Sequence, residues 1–318
     1  YELTSDEHSF ELKMSWGDGT AKITETTLNG AKVEVYFEAE LNAEAKIGSE
    51  GNTNEAYLSY SHISGYDDEG EPIVPPEEED EETPVDTVIA FTYELVIDKV
   101  DKENVALEGA EFKLEKVKAD WETVVKAYDV TVDGNRYDIK GLDDGNYILT
   151  ETKAPEGYAL VAPIKFTVTA NHAEVWTDEA RTAVLTELEA TGDIDLSAAR
   201  ADGKLTGELT GSVTDYKEPT LEKKIQDTND STGESSGWQD SADYDIGDAV
   251  PYKLTATLAE NVTDYKEYRI AFHDTMEAGL TFDAESVEVY LNDAEVAATE
   301  YELTSDEHSF ELKMSWGD

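Results

Sequence analysis

Six side chains capable of amide chemistry fall where strand alternation aims them at an apolar face. In YELVIDKVD the positions Leu95, Ile97 and Lys99 share one side, so a core that takes the leucine and isoleucine takes the lysine as well. Tyr147, Leu149 and Glu151 repeat the pattern in GNYILTETK, and Leu209, Val213 and Asp215 repeat it in ELTGSVTDY. Lys223 lies between Leu221 and Ile225, Asp274 shares a face with Ile270 and Phe272, and Asn54 precedes Ala56, Leu58 and Tyr60 on theirs. The first three residues form one candidate set and the last three a second.

Burial penalises the charged forms of both an amine and an acid, and so favours a neutral amine beside a protonated carboxyl. A neutral amine is a nucleophile. A protonated carboxyl can polarise the side-chain carbonyl of Asn or Asp and carry the leaving group's proton, and the product is an amide crosslink. The plainer alternative is a buried salt bridge, or a bulge that turns the charge back to water.

The elements that must position these residues read as short alternating strands separated by turn residues, the pattern of an all-β sandwich. Val33, Val35, Phe37, Ala39 and Leu41, and then Ala56, Leu58 and Tyr60, alternate with polar partners as half-buried strands do. Val287 to Leu291 and Ile164 to Val168 have the same character. Between Tyr66 and Asp86 the run DDEGEPIVPPEEEDEETPVD, with its prolines and like charges, reads as a loop or linker. Its six consecutive acids, Glu77 to Glu82, lack the glycine-turned spacing of a calcium loop and read as a hydrated run, so no metal site is expected.

An internal repeat resets the boundaries. YELTSDEHSFELKMSWGD, Tyr1 to Asp18, recurs letter for letter from Tyr301 to Asp318, an offset of 300. The chain therefore reads as slightly more than one period of a tandem array, with a permuted monomer as the alternative. In the array the natural order is Glu218 to Asp318 followed by Gly19 to Lys217. Two immunoglobulin-like β-sandwich domains per repeat, joined end to end, are expected. In the numbering of this chain, 1–86 is the C-terminal part of one domain plus the acidic linker, 87–217 a second domain, and 218–318 the N-terminal part of the next copy of the first.

Composition narrows the partners. With 74 Asp and Glu against 24 Lys and Arg, the net charge of -50 repels phosphate backbones and anionic lipid, so neither nucleic acid nor membrane is an expected partner. The absence of cysteine removes disulfides and thiolate chemistry. No apolar run approaches the roughly 20 residues a membrane helix needs, and no start resembles a signal peptide, so export and anchoring are expected to lie outside this segment. The five histidines show neither HExxH nor triad-like spacing, and no glycine-rich turn suggests a phosphate site. A turnover enzyme is disfavoured and no cofactor is expected.

Two stretches resemble known families. Tyr93 to about Lys217 resembles a Cna protein B-type domain, through LVIDKVDKENVALEGAEFKL at its start and YILTETKAPEGY as its E-box. The resemblance implies Lys99 as nucleophile, Glu151 as proton shuttle and Asp215, where many pilins have Asn, as acceptor. Water rather than ammonia would then leave. Pro219 through Asp318, continuing through Gly19 to about Ser64, resembles the fimbrial isopeptide-formation domain of backbone pilins in PTLEKKI, DIGDAVPYKLTATL, YRIAFHDTMEAGLTF and GNTNEAYLSYS. By that likeness Lys223 is the nucleophile, Asp274 the acid and Asn54 of the next repeat the acceptor, with Lys224 and Asn52 as neighbouring alternatives. The implied protein is a Gram-positive cell-surface or cell-wall pilus or stalk filament whose partners are neighbouring repeats or copies. A matrix- or ligand-binding adhesin repeat with a host or cell-surface ligand is the rival, and head-to-tail assembly of separate chains is another. One departure is that TDYKEPTLEKK runs straight from one domain into the next, where backbone pilins end in a sortase signal.

Overall fold

The computed structural model describes residues 1–17, 23–62, 65–70, 80–176, 181–229 and 231–317. Among the described residues strand predominates, and the helical pieces at Thr26–Leu28, Val262–Asp264 and Ala284–Ser286 are single 3-10 turns. The chain divides into two compact units. One comprises Tyr1–Val100, Ala106–Lys153 and Ala162–Val213, and the other Asp101–Val105, Ala154–Val161 and Thr214–Asp318.

The first unit opens with a ribbon of β1 (Glu2–Ser5) and β2 (Phe10–Lys13), then pairs β3 (Asn52–Ala56) with β6 (Asp86–Ala90) and β4 (Ser59–Tyr60) with β5 (Glu81–Glu82). Its centre is built from β7 (Tyr93–Asp101), β8 (Glu111–Val117), β9 (Val124–Tyr128), β10 (Thr131–Asp133), β11 (Arg136–Leu142), β12 (Gly145–Lys153), β13 (Ile164–Trp176), β14 (Arg181–Gly192), β15 (Ser197–Ala201) and β16 (Lys204–Asp215). These ten strands form two five-stranded sheets, ordered β10-β11-β7-β16-β15 and β14-β13-β12-β8-β9.

The two sheets face each other, as the edge-on packing of Phe112 from β8 on Tyr137 from β11, with centroids 4.8 Å apart, shows. Leu95 and Ile97 of β7, Leu114 of β8, Ile139 of β11, Leu149 of β12, Phe166 of β13 and Leu209 of β16 fill the space between them and are shut off from solvent. Burying each such side chain contributes about 1.5 to 3 kcal/mol, which makes this sandwich the stable centre of the chain. A close backbone approach ties the stretch before it to the sheet. Gly48, at φ 94°, donates its N–H to Thr92 O at 2.8 Å, and a Cβ at Gly48 would come 1.7 Å from Thr206 O.

The second unit holds β17 (Thr220–Asn229), β18 (Glu234–Gln239), β19 (Tyr252–Thr257), β20 (Tyr268–Thr275), β21 (Tyr290–Leu291), β22 (Ala294–Glu295), β23 (Glu302–Ser305) and β24 (Ser309–Trp316). They are arranged as sheets β18-β17-β19 and β20-β24-β23 and a hairpin β21-β22.

Several expected strands are shorter or absent. Val33 to Leu41 forms none, and Val33, Val35, Phe37 and Leu41 are exposed. An alternating segment becomes a strand only when a neighbour takes its hydrogen bonds and a layer covers its apolar face, and the described residues of the first unit supply neither here. Leu58 and Tyr60 are likewise exposed. Within Val287 to Leu291 only Tyr290–Leu291 is strand, and Asn292 and Asp293, both at positive φ, turn the chain directly into β22. Ile164 to Val168 is the start of the longer β13. In the acidic stretch, residues 71–79 lie outside the described residues, while Glu81–Glu82 pairs with Ser59–Tyr60. Among the described residues no helix is long and apolar enough to cross a membrane.

Candidate functional site

β7 lies in the middle of its sheet, so Lys99, two residues beyond Ile97 and four beyond Leu95, is carried into the sandwich with them. From the opposite sheet β12 brings Glu151 in the same way, two residues after Leu149. Lys99 Nζ stands 3.2 Å from Glu151 Oε1, and both side chains are 0% exposed. Glu151 is paired with Phe112 of β8, and the ring of Phe112 lies under the amine with its centroid 5.7 Å from Nζ. The backbone of Lys99 is fixed on both sides, since its N–H donates to Asn135 O at 2.8 Å and its carbonyl accepts from Leu107 N–H at 2.9 Å. An amine and a carboxyl are thus held side by side by strands of facing sheets, among apolar residues and shut off from bulk solvent.

Asp215 is the last residue of β16 and is fully buried. β16 is the strand next to β7 in the sheet order.

The second set is divided. Lys223 of β17 and Asp274 of β20 meet within the second unit, with Nζ 2.6 Å from Oδ2. Asp274 is buried, and its Oδ1 has no hydrogen-bond partner among the described residues. Lys223 departs from the sequence expectation, because its side chain is 44% exposed and its neighbour Leu221 is exposed too. Among the described residues of the second unit no layer of core lies over that stretch of β17, although the Tyr252 ring lies 5.2 Å from Nζ. Lys224 points to exposed acids instead, 2.6 Å from Asp240 and 3.3 Å from Glu222.

Asn54 belongs to the first unit, in the middle of β3, opposite Val88 of β6, and it is exposed rather than inward. Asn52 is committed to the backbone. Its Oδ1 accepts from Lys46 N–H at 2.8 Å, and its Nδ2 donates to Lys46 O at 3.1 Å and Ala90 O at 3.2 Å. What sequence reasoning missed is the support around Lys99. The segments of Phe112 and Asn135 gave no signal of it in their alternation, because Phe112 comes from the facing sheet and Asn135 from the turn before β11, the neighbour of β7.

Residues 93–180 match the family described as SpaA, prealbumin-like fold domain. The trypsin-resistant surface T6 protein of Streptococcus pyogenes serotype M6 is 31% identical over 147 residues, covering 42% of this chain and 25% of that protein. The chain thus spans about a quarter of the length of this curated relative. Among solved structures, a variant of BcpA, the major pilin subunit of Bacillus cereus, is 20% identical with a TM-score of 0.40, over 70% of this chain and 53% of that one. The major pilin SpaD of Corynebacterium diphtheriae is 16% identical with a TM-score of 0.42, over 70% and 57%. Residues 93–180 are thus similar to the SpaA prealbumin-like fold domain, and parts of the chain are similar to Gram-positive surface and pilin proteins.

Proposed function

We propose that this chain is one period of an extracellular pilus or stalk filament displayed on a Gram-positive cell, stapled by amide bonds that its own side chains form. The observation that carries this is the fully buried Lys99–Glu151 pair at 3.2 Å between facing sheets. In the first crosslink Lys99 Nζ attacks Cγ of Asp215, whose C–O bond breaks. Glu151 passes a proton to the departing oxygen, and water leaves. Support for the acceptor is that β16, which ends in the buried Asp215, neighbours β7 in the sheet.

In the second crosslink Lys223 Nζ attacks Cγ of Asn54 from the next repeat, the C–N bond breaks with Asp274 moving the proton, and ammonia leaves. Support here is the 2.6 Å Lys223–Asp274 contact, the diversion of Lys224 to Asp240, and the commitment of the Asn52 amide to backbone. Each bond forms once, so the chain has no turnover activity in this proposal.

The domain limits that go with this function are 1–86, 87–217 and 218–318. A Lys99–Asp215 bond closes a loop on the order of 100 residues, which by the disulfide analogy removes about 4 to 5 kcal/mol of unfolded-state entropy. It also joins the first and last strands of the sandwich, so tension at the ends loads covalent bonds. The filament then serves to project an adhesin, with neighbouring repeats as its partners.

The test is the intact mass of one phased repeat, Glu218 to Asp318 continued by Gly19 to Lys217. A deficit of one water plus one ammonia is expected, the water restored by Lys99→Ala and the ammonia by Lys223→Ala. A folded repeat of unmodified mass overturns the proposal and leaves the buried pairs as salt bridges.

A further inference from the structure

Asp215 is the last residue of β16, yet the backbone just beyond it is gripped. Ala159 N–H donates to Tyr216 O at 3.0 Å, and Glu218 N–H donates to Gly157 O at 3.0 Å. The two bonds flank an antiparallel pairing of Tyr158 with Lys217. The gripping segment is Ala154–Val161, which follows β12 in the chain and lies with Asp215 and residues 216–218 in the second unit. This small ladder is separate from both five-stranded sheets.

The sequence APEGYA builds the segment as a strap. Pro155 is buried, and its carbonyl accepts from Tyr158 N–H at 3.1 Å, closing a turn whose third residue, Gly157, sits at φ 81°. Positive φ at that place calls for glycine. The carbonyl of the same Gly157 accepts from Glu218, so one turn both directs the strap and supplies one of its two bonds to the chain beyond Asp215. Along the chain the strap begins three residues after Glu151 and takes hold one residue after Asp215.

The end of a strand is where fraying starts. Attack on a carboxyl carbon tolerates little of it, since a misplacement of about 1 Å can slow a reaction on the order of 100-fold. We propose that Ala154–Val161 is a positioning strap for the crosslink, holding Asp215 where Lys99 can reach its Cγ, with Gly157 as the positioning residue. This rests on the Lys99–Asp215 bond proposed above and adds what gates it, because the bond closes only once the strap has paired with residues 216–218. In that step the N–C bond replaces a C–O bond of Asp215, and the hydroxyl of the protonated carboxyl leaves as water with one hydrogen of the neutral amine. The strap itself gives and takes no proton.

The test follows bond formation in the whole 318-residue chain, made by cell-free synthesis and quenched at intervals, by scoring the branched tryptic peptide that joins Lys99 to Asp215. Gly157→Ala adds left-handed strain where a Cβ meets nothing within 4 Å. Gly203→Ala, at φ 79° and equally open, adds matching strain in the turn that leads into the far end of β16. Ala159→Pro removes the N–H given to Tyr216. Gly157→Ala and Ala159→Pro are expected to slow the bond at least about tenfold, with faster amide exchange at Glu218, while Gly203→Ala stays within about twofold of the parent. In a Lys99→Ala background, where the bond cannot form, the two glycine variants are expected to melt together, which separates positioning from stability.

Parent rates in both Gly157→Ala and Ala159→Pro overturn the inference and leave the crosslink standing. So do rates that fall equally in Gly157→Ala and Gly203→Ala, or that simply follow the melting temperatures. A folded parent chain that never yields the branched peptide overturns the crosslink reading itself, and the role of the strap with it.

Discussion

Lys99 and Glu151 come from opposite sheets of one sandwich and meet at 3.2 Å with no solvent around either. If they form the nucleophile and proton shuttle of a crosslink, Glu151→Gln keeps the shape of the site but loses the shuttle. The expected outcome is a folded chain that retains the water a crosslinked chain has lost, read by intact mass. Lys99→Ala removes the amine and leaves a buried carboxyl without its cation. Removing one partner of a buried pair typically costs about 3 to 5 kcal/mol, so both variants should unfold at lower denaturant than the parent.

Gly48 and Gly207 touch backbone to backbone, both at positive φ, and a Cβ on Gly207 would lie 2.0 Å from Gly48 Cα. Neither chain segment can retreat without breaking the Gly48 N–H bond to Thr92 or the β16 ladder. Gly48→Ala is expected to destabilise the first unit by about 1 to 3 kcal/mol, through left-handed strain and overpacking together. Urea unfolding of the first unit checks this. Gly109→Ala offers the control, because a Cβ there meets nothing within 4 Å although its φ of 91° is similar.

Alkaline pH should loosen the sandwich. Burial, with Asp144 and Asp143 adding negative charge, pushes the Tyr93 hydroxyl up to about 12 from an ordinary value of 10.0. Between those two values the folded chain holds a proton that the unfolded chain has released, so stability is full below pH 10 and falls as pH rises towards 12. Burial moves Tyr147 and Tyr128 in the same direction. Melting curves from about pH 8 to about pH 11.5 should show the decline, and Tyr93→Phe should flatten part of it. That variant also gives up the 2.8 Å hydrogen bond to His172, and so starts from a lower melting temperature at the neutral end of the series.

The two hairpins should answer the same mutation differently. Leu312→Ala opens a cavity against β20 and is expected to cost about 2 kcal/mol or more, roughly thirtyfold faster amide exchange at Ile270 and Phe272. Leu12→Ala, at a half-exposed position of a two-stranded ribbon, should leave those amides within about 0.5 kcal/mol of the parent.

Local sequence determined what the two copies of YELTSDEHSFELKMSWGD have in common. Register and turn repeat, down to the Asp6 carboxylate accepting from His8 N–H at 2.8 Å and Asp306 from His308 N–H at 2.9 Å, because those bonds reach only a few residues. Alternation in β7 and β12 likewise aimed Lys99 and Glu151 inward, since a strand's period of two leaves a residue no other choice once its neighbours are core. Tertiary structure decided everything that needs a second layer. It set the meeting of Lys99 with Glu151 over Phe112, the turning of Lys223 rather than Lys224 to Asp274, and the use of Asn52 as a backbone clasp. It also left Val33 to Leu41 without a strand and Leu12 less covered than Leu312. An apolar face is only half of a buried one, and whether another strand arrives to cover it is not written in the segment that waits for it.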